Sequence, residues 1–264
     1  MFKVRLRSSI ILMAVALTTI ILGGYVLFAT ILAISLIGMM ELYRAVGLHK
    51  TFMGFVGYTA CIVLNLLILF KCENWNVLLF NTFVISLMLI YVFLFPKYNI
   101  SDVSMIFFGL FYVAMMLSFI YKVRMLDDGP ILVWLIFIGA WGSDTCAYLV
   151  GRSIGKHKFS KLSPKKSIEG CIGGVVGAAL LGFIYATVFK DSIIGVKNPQ
   201  FAYAVICGVS SIISQLGDLA ASAIKRNHDL KDFGTLIPGH GGILDRFDSI
   251  IFIAPIVYAL SEIL

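Results

Sequence analysis

The sequence predicts an all-α polytopic integral membrane protein of about nine transmembrane helices, with its N-terminus in the cytoplasm. Three observations carry that expectation. Of the 264 residues, 60% are hydrophobic and only 13% are charged, about half the charge of a soluble domain, and mean hydropathy is +0.98. Apolar runs recur at roughly 9–22, 24–43, 54–70, 77–95, 102–121, 130–150, 170–189, 201–221 and 249–264. Most approach the ~20 residues a helix needs to cross ~30 Å of hydrocarbon. With nine spans and the N-terminus inside, sixteen of the 21 lysines and arginines fall on the cytoplasmic side, as the positive-inside rule requires.

The N-terminal stretch MFKVRLRSSIILMAVALTTIILGG has the basic-then-apolar look of a signal peptide. No A-x-A-like cleavage site precedes a polar mature region, so it reads as a retained anchor. Residues 9–40 carry no charge and could form one long helix or two meeting at Gly23-Gly24; the loop-charge count favours two. The following spans, to about residue 125, hold scattered Gly, Ser and Thr of the kind that packs membrane helices and little chemistry. The sixth run contains Asp144, one turn before Tyr148, a costly group in a membrane that needs a partner. The five cysteines show no CxxC spacing and read as small buried hydrophobes. No repeat or linker divides the chain, so 1–264 reads as a single domain, with 1–125 poor in motifs and 126–264 carrying the chemistry.

The loop after the sixth run, GRSIGKHKFSKLSPKKSIEG (151–170), holds six cations, His157 and one acid, Glu169. Ser163-Pro164 has the form of an N-cap followed by proline at the first helical position. That would aim N–H groups, with Lys165 and Lys166, at an anion; the alternative is a plain topology signal. Glycines 170, 173, 174 and 177 form overlapping GxxxG spacings suited to helix packing. They follow no strand, which argues against a dinucleotide fold.

In the eighth run Ser211, Gln215, Asp218, Ser222 and Lys225 fall on one helical stripe. Such a stripe must face protein or water, and it runs into the longest polar stretch of the chain, SAIKRNHDLKDFGTLIPGHGGILDRFD (222–248). Pairing of Asp218 with Lys225 for packing is the bland alternative. Asp245 and Asp248, three apart where the last run begins, share a helical face. They could cap that helix or, facing Asp218, hold a divalent cation with room for waters and phosphate oxygens. The PGHGG turn permits positive φ and close backbone approach to a ligand. Lys225, Arg226, Lys231 and Arg246 could equally be anchors for lipid headgroups. The net charge of +7 is what basic loops beside anionic lipid produce and is no argument for nucleic acid.

Ser222, Lys225-Arg226, Lys231-Asp232, Pro238-Gly239-His240-Gly241-Gly242, Asp245-Arg246 and Asp248 together resemble the signature of phosphatidate cytidylyltransferases (CDP-diacylglycerol synthases) without a gap. DTCAYLVGRSIGK and LSPKKSIEG are similar to two further blocks of that family. The resemblance implies transfer of the cytidylyl group from CTP to phosphatidate in the inner leaflet, dependence on Mg²⁺ with a second metal ion left open, and a homodimer. It implies that Asp218, Asp245 and Asp248 are the metal-binding carboxylates, with Lys225 beside them in catalysis. Asp144, Lys165, Lys166, Ser222, Arg226, Lys231, His240, Gly241 and Arg246 are the expected substrate contacts. A bacterial plasma membrane is the expected location. Two other classes are weighed: a different CTP-dependent lipid enzyme, such as a CDP-archaeol synthase or polyprenol kinase, and a cation-coupled transporter. A transporter would show inverted repeats and midplane sites, and neither is visible.

Overall fold

The computed structural model describes residues 2–160, 162–163 and 166–264, with side chains from Arg7 onward. Among the described residues the chain is helical and has no sheet, only two isolated bridges. The helices are α1 (Phe2–Leu22), α2 (Gly24–Ala45), α3 (Phe52–Leu69), α4 (Asn76–Phe93), α5 (Ile100–Gly109), α6 (Met116–Arg124), α7 (Gly129–Phe137), α8 (Ser143–Ile154), α9 (Ile168–Val188), α10 (Pro199–Asn227) and α11 (Leu244–Ile263). A π-helical turn at Leu110–Met115 joins α5 to α6, and another at Ile138–Gly142 joins α7 to α8. Each pair therefore forms one continuous rod, Ile100–Arg124 and Gly129–Ile154, and the nine apolar runs become nine rods.

Seven of these are long and apolar enough to cross a membrane. The other two fall short for different reasons. The described apolar part of α1 is only Arg7–Leu22, and α11 carries Asp245, Arg246 and Asp248 in its first turns. Between α1 and α2 the chain breaks at Gly23 and Gly24, with φ of 61° and 47°. That left-handed backbone is open to glycine and resisted by other residues, so the uncharged stretch is two helices. Many large apolar side chains on these helices are exposed, Phe93 at 80% among them, as lipid-facing surfaces must be.

The chain divides into two compact units, Met1–Ser118 with His228–Arg246, and Phe119–Asn227 with Phe247–Leu264. In the first, α2 supplies much of the core through Leu27, Ile31, Met39, Leu42 and Tyr43. The Tyr43 hydroxyl donates to the Ile106 carbonyl at 2.8 Å. Gly57 of α3 and Gly109 of α5 leave room for its ring, where a Cβ would intrude. In the second unit, α9 lies between α8 and α10. A Cβ on Gly173 would meet Val150 at 2.5 Å and one on Gly174 would meet Ala147 at 3.1 Å. The glycine face therefore packs α9 on α8, as its spacing predicts. All five cysteines are unpaired.

Candidate active site

In the second unit the polar stripe of α10 finds a partner at nearly every step. The Ser211 hydroxyl lies 2.6 Å from that of Ser143, and the Gln215 amide donates to the Cys171 carbonyl at 3.1 Å. Asp218 accepts from two sides. Lys166 Nζ reaches its Oδ2 at 2.5 Å, and the Ser249 hydroxyl donates to its Oδ1 at 2.5 Å. Ser249 also binds the Asp248 carboxylate, whose Oδ1 accepts the Ser249 N–H at 2.9 Å, so one serine links the two carboxylates. Gly217 permits this approach, since a Cβ there would sit 2.9 Å from the Asp248 carbonyl. Asp144 on α8 lies within electrostatic range of both Asp218 and Lys166. Burial works against the Lys166 charge, but the Asp218 carboxylate outweighs it and holds the ammonium above its ordinary value.

The loop that delivers Lys166 is folded on itself. Phe159 N–H donates to the Lys166 carbonyl at 2.9 Å, and Ile168 N–H to that of His157 at 2.9 Å. Glu169 accepts from Lys156 N–H at 3.1 Å and contacts His157 Nδ1 at 2.6 Å. The guanidinium of Arg226, at the end of α10, donates to the Leu162 carbonyl. The N-cap of α9 is Ser167, whose hydroxyl accepts from Gly170 N–H, and not Ser163. The pairing of 157–159 with 166–168 keeps Ser167 extended, and the Ser163 carbonyl accepts from Lys166 N–H. Lys161, Pro164 and Lys165 lie outside the described residues.

The first unit holds the PGHGG turn. Ile237 N–H donates to the Gly241 carbonyl at 2.9 Å, and φ is 78° at Gly239 and 85° at Gly241, which glycine allows without strain. Asp245, 5% exposed, accepts through Oδ2 from Phe233 N–H and Gly242 N–H, each at 2.9 Å. Ser9 Oγ lies 3.0 Å from His240 Nε2, and Ser8 donates to the Pro238 carbonyl. Lys231, Asp232, His240, Gly241 and Arg246 line a polar cavity of 520 Å³.

Residues 3–264 match the Cytidylyltransferase family. The chain belongs to that family. Several relatives align with nearly its whole length. A phosphatidate cytidylyltransferase of Bacillus subtilis (strain 168) is 32% identical, covering 98% of this chain and 97% of the relative. One of Synechocystis sp. is 32% identical, with coverage of 96% and 94%. One of Staphylococcus aureus (strain COL) is 34% identical, with 98% of each covered.

In this cytidylyltransferase the residues expected from sequence stand in two clusters. Asp144, Lys166, Asp218 and Asp248 belong to the second unit, as do Ser222, Lys225 and Arg226 on the last turns of α10. Lys231, His240, Gly241, Asp245 and Arg246 belong to the first. Among the described residues no group of three or more His, Cys, Asp and Glu side chains is placed to share a metal ion. The carboxylates of Asp218 and Asp248 are the two that Ser249 links. Sequence reasoning missed Ser249, and it missed Glu41 of α2, whose carboxylate accepts from Ile243 N–H at 3.0 Å and Leu244 N–H at 2.8 Å. Neither residue carries a local signal; each is identified only by its partner.

Proposed function

We propose that the chain transfers the cytidylyl group of CTP to phosphatidate, releasing pyrophosphate and CDP-diacylglycerol. This is the activity in the names of its full-length relatives, and one observation about the chain carries its chemistry. From α8, α10, α11 and the loop before α9, Asp144, Lys166, Asp218, Asp248 and Ser249 gather as a mixed cluster of carboxylates, ammonium and hydroxyl. Ionisable groups such as Asp144 and Asp218 within the spans of a membrane protein are costly and mark function.

The lipid phosphate is a monoester whose second pKa is about 6, so it is already a dianion near neutrality and needs no strong general base. One of its oxygens attacks the α-phosphorus of CTP, and the bond from that phosphorus to the β-phosphate oxygen breaks. The obstacle is repulsion between anions together with charge developing on the departing pyrophosphate. Fixed cations relieve both. Lys166 serves that role in the second unit, with Lys225 and Arg226 on α10. Lys231, His240 and Arg246 line a cavity whose glycine backbone admits phosphate closely.

Asp218 and Asp248 would hold a magnesium ion, which binds through one or two carboxylates and completes its shell with water and substrate phosphates. When bound, it screens the phosphate charges and stabilises the leaving group. Asp218 gives Lys166 a resting partner, so the ammonium is held in place before any phosphate arrives. Asp245 spends one oxygen on two backbone N–H groups, so any share it takes in a metal site rests on its other oxygen. The sixteen-to-five distribution of cations supports a cytoplasmic site at the inner leaflet of a bacterial plasma membrane. A homodimer is proposed on the family resemblance.

Release of pyrophosphate from CTP by the purified protein tests the reading. It should require phosphatidate and stop with EDTA. Consumption of a non-phosphorylated lipid alcohol in its place would overturn the assignment.

A further inference from the structure

Glu41 is 1% exposed and sits four residues from the end of α2, a helix apolar enough to cross a membrane. A carboxylate in that position needs full compensation, and the chain supplies it from 202 residues away. Both oxygens are used: Oε1 accepts Ile243 N–H and Oε2 accepts Leu244 N–H. These are the residue before α11 and its first residue, whose N–H groups have no partner within the helix. Two glycines wrap the same carboxylate. A Cβ on Gly234 would collide with Oε1 and one on Gly242 with Oε2. Neither glycine has positive φ, so what excludes a side chain at either position is Glu41 itself.

Asp245 completes the arrangement from the other side by holding Phe233 N–H to Gly242 N–H. Two carboxylates thus fasten both limbs of the loop, 233–234 and 242–244, that flank the cavity lined by Lys231, His240 and Arg246. We propose that Glu41 is a positioning residue for the reaction: it caps α11 from another helix and fixes the limbs of the PGHGG loop, setting where the cationic side chains of that loop meet phosphate. The inference rests on the phosphate-binding reading of the loop given above. Displacing reacting groups by about 1 Å can cost 10²-fold in rate, so a carboxylate that touches no substrate can still govern turnover.

The test compares wild type with Glu41→Gln, Gly242→Ala and the double variant, all full-length in lipid nanodiscs. Deuterium exchange is followed over 233–247, and kcat and KM for CTP are measured. Glu41→Gln sets an amide N–H₂ against a backbone N–H, so exchange over 242–245 should quicken about tenfold. The value of kcat should fall by about ten- to a hundredfold, with KM for CTP changing less than threefold. Gly242→Ala should do the same, and the double variant should be little worse than either, because both act on one contact. Unchanged exchange in Glu41→Gln overturns the inference, and so does faster exchange with wild-type kcat. Additive losses in the double variant overturn it as well. If Glu41→Gln does not accumulate, Gly242→Ala carries the same two readouts, and the same outcomes support or overturn the inference. Absence of phosphatidate-dependent turnover in wild type would instead sink the proposed function, and the exchange result would still report whether Glu41 holds the loop.

Discussion

The two polar clusters use carboxylates in opposite ways. In the first unit Glu41 and Asp245 accept from backbone N–H groups of Phe233, Gly242, Ile243 and Leu244. Those donors cannot leave without unfolding the loop. In the second unit Asp218 accepts from the Lys166 ammonium and the Ser249 hydroxyl, side-chain donors that can rotate away and be replaced by a ligand, while Asp248 beside it accepts the Ser249 N–H. The first cluster is built as a frame, and we propose that the second exchanges its partners for a ligand. Burial agrees with this. Glu41 and Asp245 are 1% and 5% exposed, whereas the side chains of Lys166 and Asp218 retain 28% and 22% exposure.

The largest effect that would test this contrast is expected at Asp218. Asp218→Asn should lower turnover by ~10³-fold or more, if the carboxylate both holds a cation and orients Lys166, while thermal unfolding in detergent stays near wild type. A stable, fully active variant would remove the exchangeable site from the comparison. Asp245→Ala should behave differently. It strands two buried N–H groups at about 1–3 kcal/mol each, so unfolding temperature and activity should drop together. A loss of activity alone would move Asp245 from frame to chemistry. Lys166→Ala should mainly raise KM for CTP, by about tenfold, and an unchanged KM would return its loop to a topology role. The smallest effect lies away from both clusters. Gly173→Ala drives a methyl into Val150 and should cost about 1–3 kcal/mol by overpacking, with kcat per folded molecule intact.

What was legible in the sequence follows the same contrast. The α10 stripe declared itself because polar residues at helical spacing on an apolar span have nowhere to go but inward, and the glycine face of α9 was legible for the same reason. Glu41 was not, since a lone acid near the end of a span looks like any interfacial charge and its partners lie 202 and 203 residues away. Ser249 was hidden behind Asp248. The cap of α9 was misplaced by four residues because Ser163-Pro164 has a good local capping pattern, and the pairing of His157–Phe159 with Lys166–Ile168 overrides it. The count of nine rods could be read from the runs. The fact that α11 is too charged in its first turns to match the seven apolar spans follows from the same aspartates that made it interesting.

The widened turn at Ile138–Gly142 has a consequence for length changes. A π turn accommodates an extra residue within an α-helix, and each residue advances the helix by about 100°. Deleting one residue between 138 and 142 would let the rod relax to regular α geometry. Because the widened turn absorbs that residue, Ser143 and Asp144 would keep their faces of the rod, whereas a deletion in regular helix would swing them by about 100°. A homologue shortened by one position here should therefore keep its acidic group at the same place along α8, and one shortened elsewhere in the rod should not.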